Sequence, residues 1–216
     1  MSHGPTHEAL QHQFHSLEQQ RESSTLGMWL FLVNEVMFFG GLFAAYIVYR
    51  SARPEAFVAG SHALDIGLGL VNTVILIGSS LTMALAVHAA QTGRRRQLLG
   101  FLGATGVLGT AFLVVKGFEY AHKWHDHLVP GPGFSFPGPL GGEVEMFFAL
   151  YFVMTGMHAL HMVVGIGLLA WVFAGSWKGR FGPQYYNPVE NFGLYWHFVD
   201  IVWIFLFPLL YLIGRH

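Results

Sequence analysis

Residues 144–173 read VEMFFALYFVMTGMHALHMVVGIGLLAWVF, a run in which Glu145 carries the one formal charge. The hydrocarbon core of a bilayer is about 30 Å thick, and roughly 20 helical residues cross it. This run is long enough to do so. It therefore predicts a transmembrane helix, and it makes the chain a membrane protein.

Four further apolar segments have the same property. The five predicted spans are 26–49, 66–90, 98–121, 144–173 and 191–213. The segments between them carry charges, prolines and Gly-Pro turns, which are typical of loops, and Asp65 is placed to cap the second helix. We predict an all-α, polytopic membrane bundle of five transmembrane helices over residues 25–216, preceded by a polar His-rich tail over residues 1–24.

An odd number of spans places the two termini on opposite sides of the membrane. Six Lys or Arg residues fall on the side of the N-terminus and four on the other side: Arg21, Arg94, Arg95, Arg96, Lys178 and Arg180 against Arg50, Arg53, Lys123 and Arg215. Cytoplasmic loops carry the excess of positive charge, so this count predicts a cytoplasmic N-terminus and a C-terminus outside. The Pro- and Gly-rich loop 123–142 would then face outward.

The composition fits a chain solvated mainly by lipid. Hydrophobic residues make up 53% and charged residues 11%, whereas roughly a quarter of a soluble domain is charged. The scattered basic residues argue against a nucleic-acid partner, and the lack of cysteine excludes a disulfide or a thiolate metal site. Runs of small residues predict close helix packing at Gly40-Gly41, 67–69, 103–109 and 165–167.

The N-terminal tail contains His3, His7, His12 and His15. A flexible solvated tail is the simplest interpretation, and a metal-collecting segment is an alternative. A third hypothesis is that these imidazoles, which exchange protons readily near neutral pH, buffer a proton entrance on the cytoplasmic face.

Ionisable groups inside the spans are the most informative residues, because a charge at bilayer depth costs at least about 2.5 kcal/mol. Glu35 lies close to the middle of the first span. It is either a proton-linked or lipid-contacting carboxyl, or a protonated structural one. Lys116 and Glu119 lie three residues apart on one face of the third span, where they could pair with each other or extend toward the membrane interface, and we favour a structural role for them.

Two pairs with the same spacing involve histidine. His158 and His161 could bind haem, copper or a carboxylate, but residues three apart on one helix cannot both be axial to one haem. We therefore predict hydrogen bonds to another intramembrane group, with Glu35 as the leading candidate. In the last span, Asp200 could orient the His197 imidazole, and the pair could link helices. These positions predict no catalytic residue and no metal site in this chain.

Local motifs, one in each span, resemble those of the cytochrome oxidase subunit III family and occur in the family's order. They are NEVMFFGGLF at 34–43, NT at 72–73 with SSLT at 79–82, GFEY at 117–120, TGMHALH at 155–161 followed by Gly165, and YWHFVDIVWIFLF at 195–207 with Glu190 upstream. Together they extend over nearly all of residues 25–213. The five spans resemble the bacterial form of the family, whereas mitochondrial members have seven.

The resemblance implies an accessory subunit without haem or copper, packed directly against subunit I, which carries those cofactors, reduces oxygen to water and pumps protons. Its implied role is to stabilise subunit I, support proton uptake and hold phospholipid, in a complex with subunits II and IV in the bacterial cytoplasmic membrane. Glu35 matches the family's carbodiimide-reactive carboxyl. The other recurring polar positions of the family are matched by Glu119, His158, His161, Glu190, His197 and Asp200.

Several alternatives stay open at this stage. The electron donor of the complex could be cytochrome c, which the outward residues 124–127 weakly favour, or a quinol, and a homologue associated with a nitric-oxide reductase is a further candidate. Outside the family, a proton-coupled carrier could use its intramembrane carboxyls, although no inverted repeat is evident. A membrane cytochrome with its own histidine ligands is disfavoured by the histidine spacing.

Overall fold

The computed structural model describes residues 14–214, and this part of the chain folds into helices joined by short loops. The helices are α1 (Leu17–Ala52), α2 (Pro54–His62), α3 (Ile66–Gln91), α4 (Arg95–His125), α5 (Gly141–Trp177) and α6 (Asn187–Tyr211). Five of them, all except α2, are long and apolar enough to cross a membrane. The predicted all-α bundle of five spans is confirmed.

The helices are longer than most of the predicted apolar segments. Helix α1 begins at Leu17, so residues 17–24 of the segment assigned to the polar tail are helical. The Ser16 hydroxyl fixes this start, because it accepts a hydrogen bond from the Gln19 backbone N–H at 3.1 Å. Hydropathy detects the part of a helix that lies in hydrocarbon, whereas capping groups decide where the helix ends.

The connection between the first two spans contains a helix that we did not predict. Helix α2 starts with Pro54 in its first turn, a position where the missing N–H has no cost. Its Phe57 is buried and packs edge-to-face on Phe147, with ring centroids 5.6 Å apart. The predicted cap of α3 is confirmed, because Asp65 Oδ1 accepts from the Gly67 N–H at 2.7 Å.

Helix α6 lies at the centre of the bundle. It packs against α1, α3 and α5, while α4 packs against α3 and α5. In its most apolar stretch 56% of α6 is buried, against 17% for α1. The largest buried side chains, Trp196 and Trp203, both belong to α6. Helix α1 is therefore the peripheral span, with much of its apolar surface left uncovered by this chain.

Glycines let α6 approach its neighbours closely. The predicted close packing is found at three of the four glycine runs, 67–69, 103–109 and 165–167. A Cβ added at Gly109 would lie 2.7 Å from Trp196, one at Gly69 would lie 2.7 Å from Phe207, and one at Gly165 would lie 3.1 Å from Tyr195. The fourth prediction is wrong within this chain, because a Cβ at Gly40 or Gly41 would meet nothing within 4 Å. That pair lies on the open side of α1.

Contacts between helix ends define two faces of the bundle. At one face the Arg95 guanidinium donates to the Trp177 carbonyl, which joins the start of α4 to the end of α5. At the opposite face the Arg53 guanidinium pairs with Glu143. We call the first the N-terminal face, because α1 begins there, and the second the C-terminal face. Which face is cytoplasmic stays a prediction from charge.

Candidate functional site

Glu35 and His161 form the first intramembrane polar pair. Glu35 lies at the middle of α1, and its Oε2 is 3.1 Å from Nε2 of His161 on α5. The other ring nitrogen, Nδ1, donates to the Met157 carbonyl at 2.8 Å. Because Nδ1 donates to the carbonyl, a neutral His161 ring can only accept at Nε2, and the proton of the contact is then on the Glu35 carboxyl. If the ring is an imidazolium, Nε2 carries that proton and the carboxylate accepts it. The contact therefore places a carboxyl and an imidazole within hydrogen-bonding distance of each other.

This pair lies at the edge of the bundle. The side chains of Glu35 and His161 are 13% and 15% exposed. The ring of Phe39 covers His161 from one side, at a centroid distance of 5.3 Å, and the Tyr195 hydroxyl donates to the His161 carbonyl at 2.8 Å. The carboxyl is consequently shielded from the bundle interior while remaining within reach of the surrounding membrane or a partner.

His158 behaves differently from His161 although it is one turn away on α5. Its ring is fully buried between Phe112 and Trp203, at centroid distances of 5.4 and 5.3 Å. Neither ring nitrogen has a hydrogen-bond partner among the described residues. The hydrogen bond predicted for both histidines therefore forms for His161, whereas His158 packs as an aromatic ring.

A second polar group lies deep in the bundle near the C-terminal face. Lys116 Nζ is 3.0 Å from Glu119 Oε2, so of the two predicted arrangements the pair is the one that forms. Glu119 Oε1 also accepts hydrogen bonds from the hydroxyls of Tyr151 at 2.8 Å and Tyr211 at 2.6 Å. All four side chains are buried. The cluster of Lys116, Glu119, Tyr151 and Tyr211 joins α4, α5 and α6, and we refer to it as the Lys–Glu–Tyr cluster.

Lys123 extends this polar region toward the C-terminal face. Helix α4 continues to His125, so Lys123 lies in the helix and not in the loop where the charge count had placed it. Its side chain is buried, and Nζ donates to the Ala63 carbonyl at 2.6 Å. One of the four positive charges assigned to the outward loops thus serves to hold the α2–α3 connection against α4.

His197 and Asp200 do not form the predicted pair. His197 Nδ1 instead contacts the Ser80 hydroxyl on α3 at 2.7 Å, and this contact links α6 to α3. Asp200 is 3% exposed, and neither carboxyl oxygen has a hydrogen bond of normal geometry among the described residues. The prediction of a link between helices holds for His197, but the link is made through Ser80 and not through Asp200.

Glu190 lies far from the other polar positions, in the first turn of α6 at the N-terminal face. Its carboxylate is 3.8 Å from the Arg21 guanidinium, which also lies over the Tyr186 ring at 5.2 Å. These contacts tie the start of α1 to the start of α6. His15, on the same face, is exposed, whereas His3, His7 and His12 lie outside the described residues.

The seven sequence-predicted positions thus occupy several separate environments, and four of their side-chain partners were missed, Arg21 and three hydroxyl residues. Tyr151, Tyr211 and Ser80 are hydroxyl residues inside predicted spans, and that location was the available signal, since a buried hydroxyl requires a partner. Within residues 14–214 no group of three His, Asp or Glu side chains is arranged to hold a metal ion.

This fold and these sites define a class of protein, the multi-pass helical membrane proteins that hold ionisable pairs inside their bundle. A family model described as cytochrome c oxidase subunit III matches residues 6–215. The chain belongs to the cytochrome c oxidase subunit III family, whose members are accessory subunits of haem–copper oxidases.

Individual relatives agree with this assignment. The chain is 36% identical to cytochrome c oxidase subunit 3 of Synechocystis sp., over 87% of this chain and 74% of the relative. It is 31% identical to the cytochrome bo(3) ubiquinol oxidase subunit 3 of Pseudomonas aeruginosa, over 89% and 86%. It is also 36% identical to the heme-copper oxidase subunit I+III of Aeropyrum pernix, over 86% of this chain and 22% of that protein. Subunits I and III are associated in the family, and the Aeropyrum pernix protein is a single chain named for both subunits.

Proposed function

We propose that this chain is the non-catalytic subunit III of a proton-pumping haem–copper terminal oxidase in a bacterial cytoplasmic membrane. It packs against subunit I, in a complex with subunits II and IV, and the haem and copper reside in the partner subunits. The single observation that carries this proposal is the Glu35–His161 pair, an ionisable pair held at mid-membrane depth in a chain of this family.

The chemistry that the chain contributes is the handling of protons and the mechanical support of subunit I. The Glu35–His161 contact contains one proton that moves between carboxyl and imidazole with little rearrangement, because both side chains already have hydrogen-bonding geometry. We propose that the pair supports proton uptake by the complex. The Lys–Glu–Tyr cluster, in contrast, is enclosed by three helices and serves rigidity.

The proposed orientation places the N-terminal face in the cytoplasm. Arg94 and Arg96 are exposed on that face, to which the Arg21–Glu190 pair also belongs. The His-rich tail at residues 1–24 would lie on the side from which protons are taken up. We propose His3, His7, His12 and His15 as a proton-collecting segment at that entrance.

Bound phospholipid is a further proposed feature of the open side of α1. Large apolar side chains there are strongly exposed, with Met37 at 73% and Val36 at 58%. These residues directly follow Glu35 in the sequence, and this chain leaves most of their surface uncovered. Acyl chains on this surface would exclude water from the Glu35–His161 pair on its membrane side.

We propose cytochrome c as the electron donor of the complex, with a quinol as the second candidate. The preference rests on the outward residues 124–127, since cytochrome c oxidase subunits at 31–36% identity and quinol oxidase subunits at 30–31% both occur among the relatives. Oxidation of reduced cytochrome c and of ubiquinol by the purified complex distinguishes the two donors directly.

The test of the proposed function is the purification of this chain from its native membrane in mild detergent. We expect it to carry along a haem- and copper-bearing subunit, and to be colourless after it is separated from the complex. Oxygen uptake by the complex should decay faster during turnover once the chain has been removed. Isolation of the chain alone, or a haem Soret band from the chain itself, would refute the proposal.

A further inference from the structure

A cluster of basic side chains lies at the N-terminal face, where α4 begins and α5 ends. Five exposed residues form it: Arg94, Arg95, Arg96, Lys178 and Arg180. The Arg95 guanidinium joins the two segments, because its Nε donates to the Ser176 carbonyl at 3.2 Å and a second nitrogen donates to the Trp177 carbonyl. The five residues thus belong to one surface, which we refer to as the basic patch.

The basic patch has no carboxylate to balance its charge. Residues 66–118 contain no Asp or Glu, and neither do residues 146–189. Within residues 14–214 none of the five basic side chains forms an ion pair, whereas Arg21 on the same face is paired with Glu190. Like charges held close together repel one another, so the patch favours a ligand that brings negative charge from outside the chain.

An apolar strip on α4 continues from the basic patch into the membrane. At intervals of three and four residues, one side of the helix carries Arg96, Gly100, Gly103 and Val107. Val107 is 71% exposed, and a Cβ added at Gly100 would meet nothing within 4 Å. The strip is therefore a shallow open surface, and it is about 16 Å long from Arg96 to Val107 at 1.5 Å per residue.

Aromatic rings of α5 border this strip. The Phe173 ring lies 4.0 Å from the position of a Cβ added at Gly103, and its centroid is 6.2 Å from that of the Trp177 ring. Trp177 is the last residue of α5 and is 64% exposed. Exposed tryptophan at the end of a span is typical of the boundary between hydrocarbon and headgroups. The basic patch therefore lies at headgroup depth, and the strip beside it lies at the depth of the acyl chains.

These two surfaces together fit a phospholipid with a net negative headgroup. Guanidinium groups bind phosphate oxygens through paired N–H donors, and basic pockets between transmembrane helices bind anionic headgroups. The orientation of a membrane protein requires an excess of positive charge on one face, but it does not require five charges next to an open apolar strip. A soluble anion would use the basic patch and leave the strip without a role.

We propose that the basic patch and the α4 strip bind one anionic phospholipid of the leaflet at the N-terminal face. The headgroup phosphate contacts the arginines, and an acyl chain lies along Gly100, Gly103 and Val107 beside the Phe173 ring. This site differs from the open side of α1, which has large exposed apolar side chains. The inference goes beyond the proposed function and does not depend on it.

The test compares two photoreactive lipids in vesicles that contain the assembled complex. Both lipids carry a diazirine near the carboxyl end of one acyl chain, and they differ only in the headgroup, which is phosphatidylglycerol or phosphatidylcholine. Peptide mass spectrometry locates the labelled residues. Labelling at residues 96–103 and at Trp177 reports on the proposed site. Labelling at Phe118, which is 71% exposed in the other half of α4, is the internal control.

We expect phosphatidylglycerol to label the proposed site at least about fivefold more than phosphatidylcholine, and the two lipids to label Phe118 equally. A headgroup preference at the site that does not exceed the preference at Phe118 would overturn the proposal. So would the absence of lipid labelling at the site, which would mean that a protein covers the patch. Displacement of the lipid by millimolar inorganic phosphate, but not by sodium chloride of equal ionic strength, would assign the patch to a soluble anion instead.

Removal of charge tests the role of the arginines. The double variant Arg94→Gln/Arg96→Gln keeps long polar side chains, and it should lower the preference for phosphatidylglycerol at the site by at least about threefold. Arg50→Gln, in the last turn of α1 at the opposite face, is the control and should leave the preference unchanged. Co-purification with the haem-bearing subunit checks the assembly of each variant. An undiminished preference in an assembled double variant would contradict the proposal, and if that variant does not assemble, the comparison of the two lipids on the unsubstituted complex decides.

Discussion

Glu35 and His161 face each other between α1 and α5, and their contact at 3.1 Å contains a single proton because the other imidazole nitrogen is committed to the Met157 carbonyl. Depth alone could not separate a functional carboxyl from a structural one. The partner and its second hydrogen bond favour the functional interpretation, since they hold the pair in a geometry suited to proton exchange.

Replacing Glu35 by Gln tests this interpretation. The amide keeps a hydrogen bond to His161 but holds no transferable proton, so we expect an intact complex whose oxygen uptake and proton pumping fall by about threefold, equivalent to about 0.6 kcal/mol in the barrier. The measurement is oxygen consumption and proton release by vesicles that contain the complex. Glu55→Gln, an exposed carboxyl on α2, is the control. Unchanged pumping by E35Q would remove the pair from proton uptake.

Lys116 and Glu119 are a buried ion pair whose carboxylate is also bound by two tyrosines. Lys116→Met leaves that carboxylate without its counter-charge, so we expect a loss of about 3–5 kcal/mol in unfolding free energy. The double variant Lys116→Met/Glu119→Gln should recover part of the loss, because it leaves no charge behind. Thermal unfolding in detergent measures both. Additive losses would mean that the pair is not coupled.

His158, which the sequence resemblance matches to a recurring polar position of the family, packs as a ring between Phe112 and Trp203. We expect His158→Phe to destabilise the chain by no more than about 1–3 kcal/mol, because no hydrogen bond is lost and the only cost is fitting a larger ring between its neighbours. The melting temperature of the separated chain measures this effect. His161→Phe is the comparison and should lose more, since it breaks the contact with Glu35.

At the scale of the helices, close approach to α6 depends on glycines in its neighbours. Gly109→Ala would place a methyl group 2.7 Å from Trp196, and we expect it to destabilise the bundle by about 1–3 kcal/mol through overpacking. Gly100→Ala on the same helix meets nothing within 4 Å and is the matched control, with a neutral or slightly stabilising effect. Equal melting temperatures for the two variants would contradict the packing argument.

The termini of the helices follow a different rule from their centres. Apolar composition correctly places each span, whereas Ser16 and Asp65 determine where α1 and α3 begin. Helix α2 escaped prediction because nine residues of mixed polarity carry little periodic signal. Its stability comes from packing, since the buried Phe57 lies between Tyr46 and Phe147.

At the scale of the whole molecule, the proton-collecting role of the N-terminal tail is open to a direct test. Deleting residues 2–15 removes the four histidines and retains Ser16, the cap of α1. We expect normal assembly and a reduced oxygen uptake above pH 7.5, where free protons limit delivery to the entrance. Replacing the four histidines by Gln should have the same effect. Unchanged turnover in both variants would leave the tail without this role.

The sequence by itself determined the five spans, their order and the family. These properties depend on hydrophobic length and on motifs within one segment, and local composition is sufficient to define both. It also identified the intramembrane ionisable residues, because their cost in hydrocarbon does not depend on the fold.

Only the tertiary structure decided which of these groups meet. Residues three apart lie on one side of a helix and can pair there, as Lys116 and Glu119 do, but His161 and His197 find their partners on neighbouring helices. His161 therefore pairs with Glu35 while His158 is left among aromatic rings, and Ser80 takes the place at His197 that Asp200 was predicted to fill. The packing of α3 against α6 buries Asp200 inside the bundle, and no property of its own segment could reveal this.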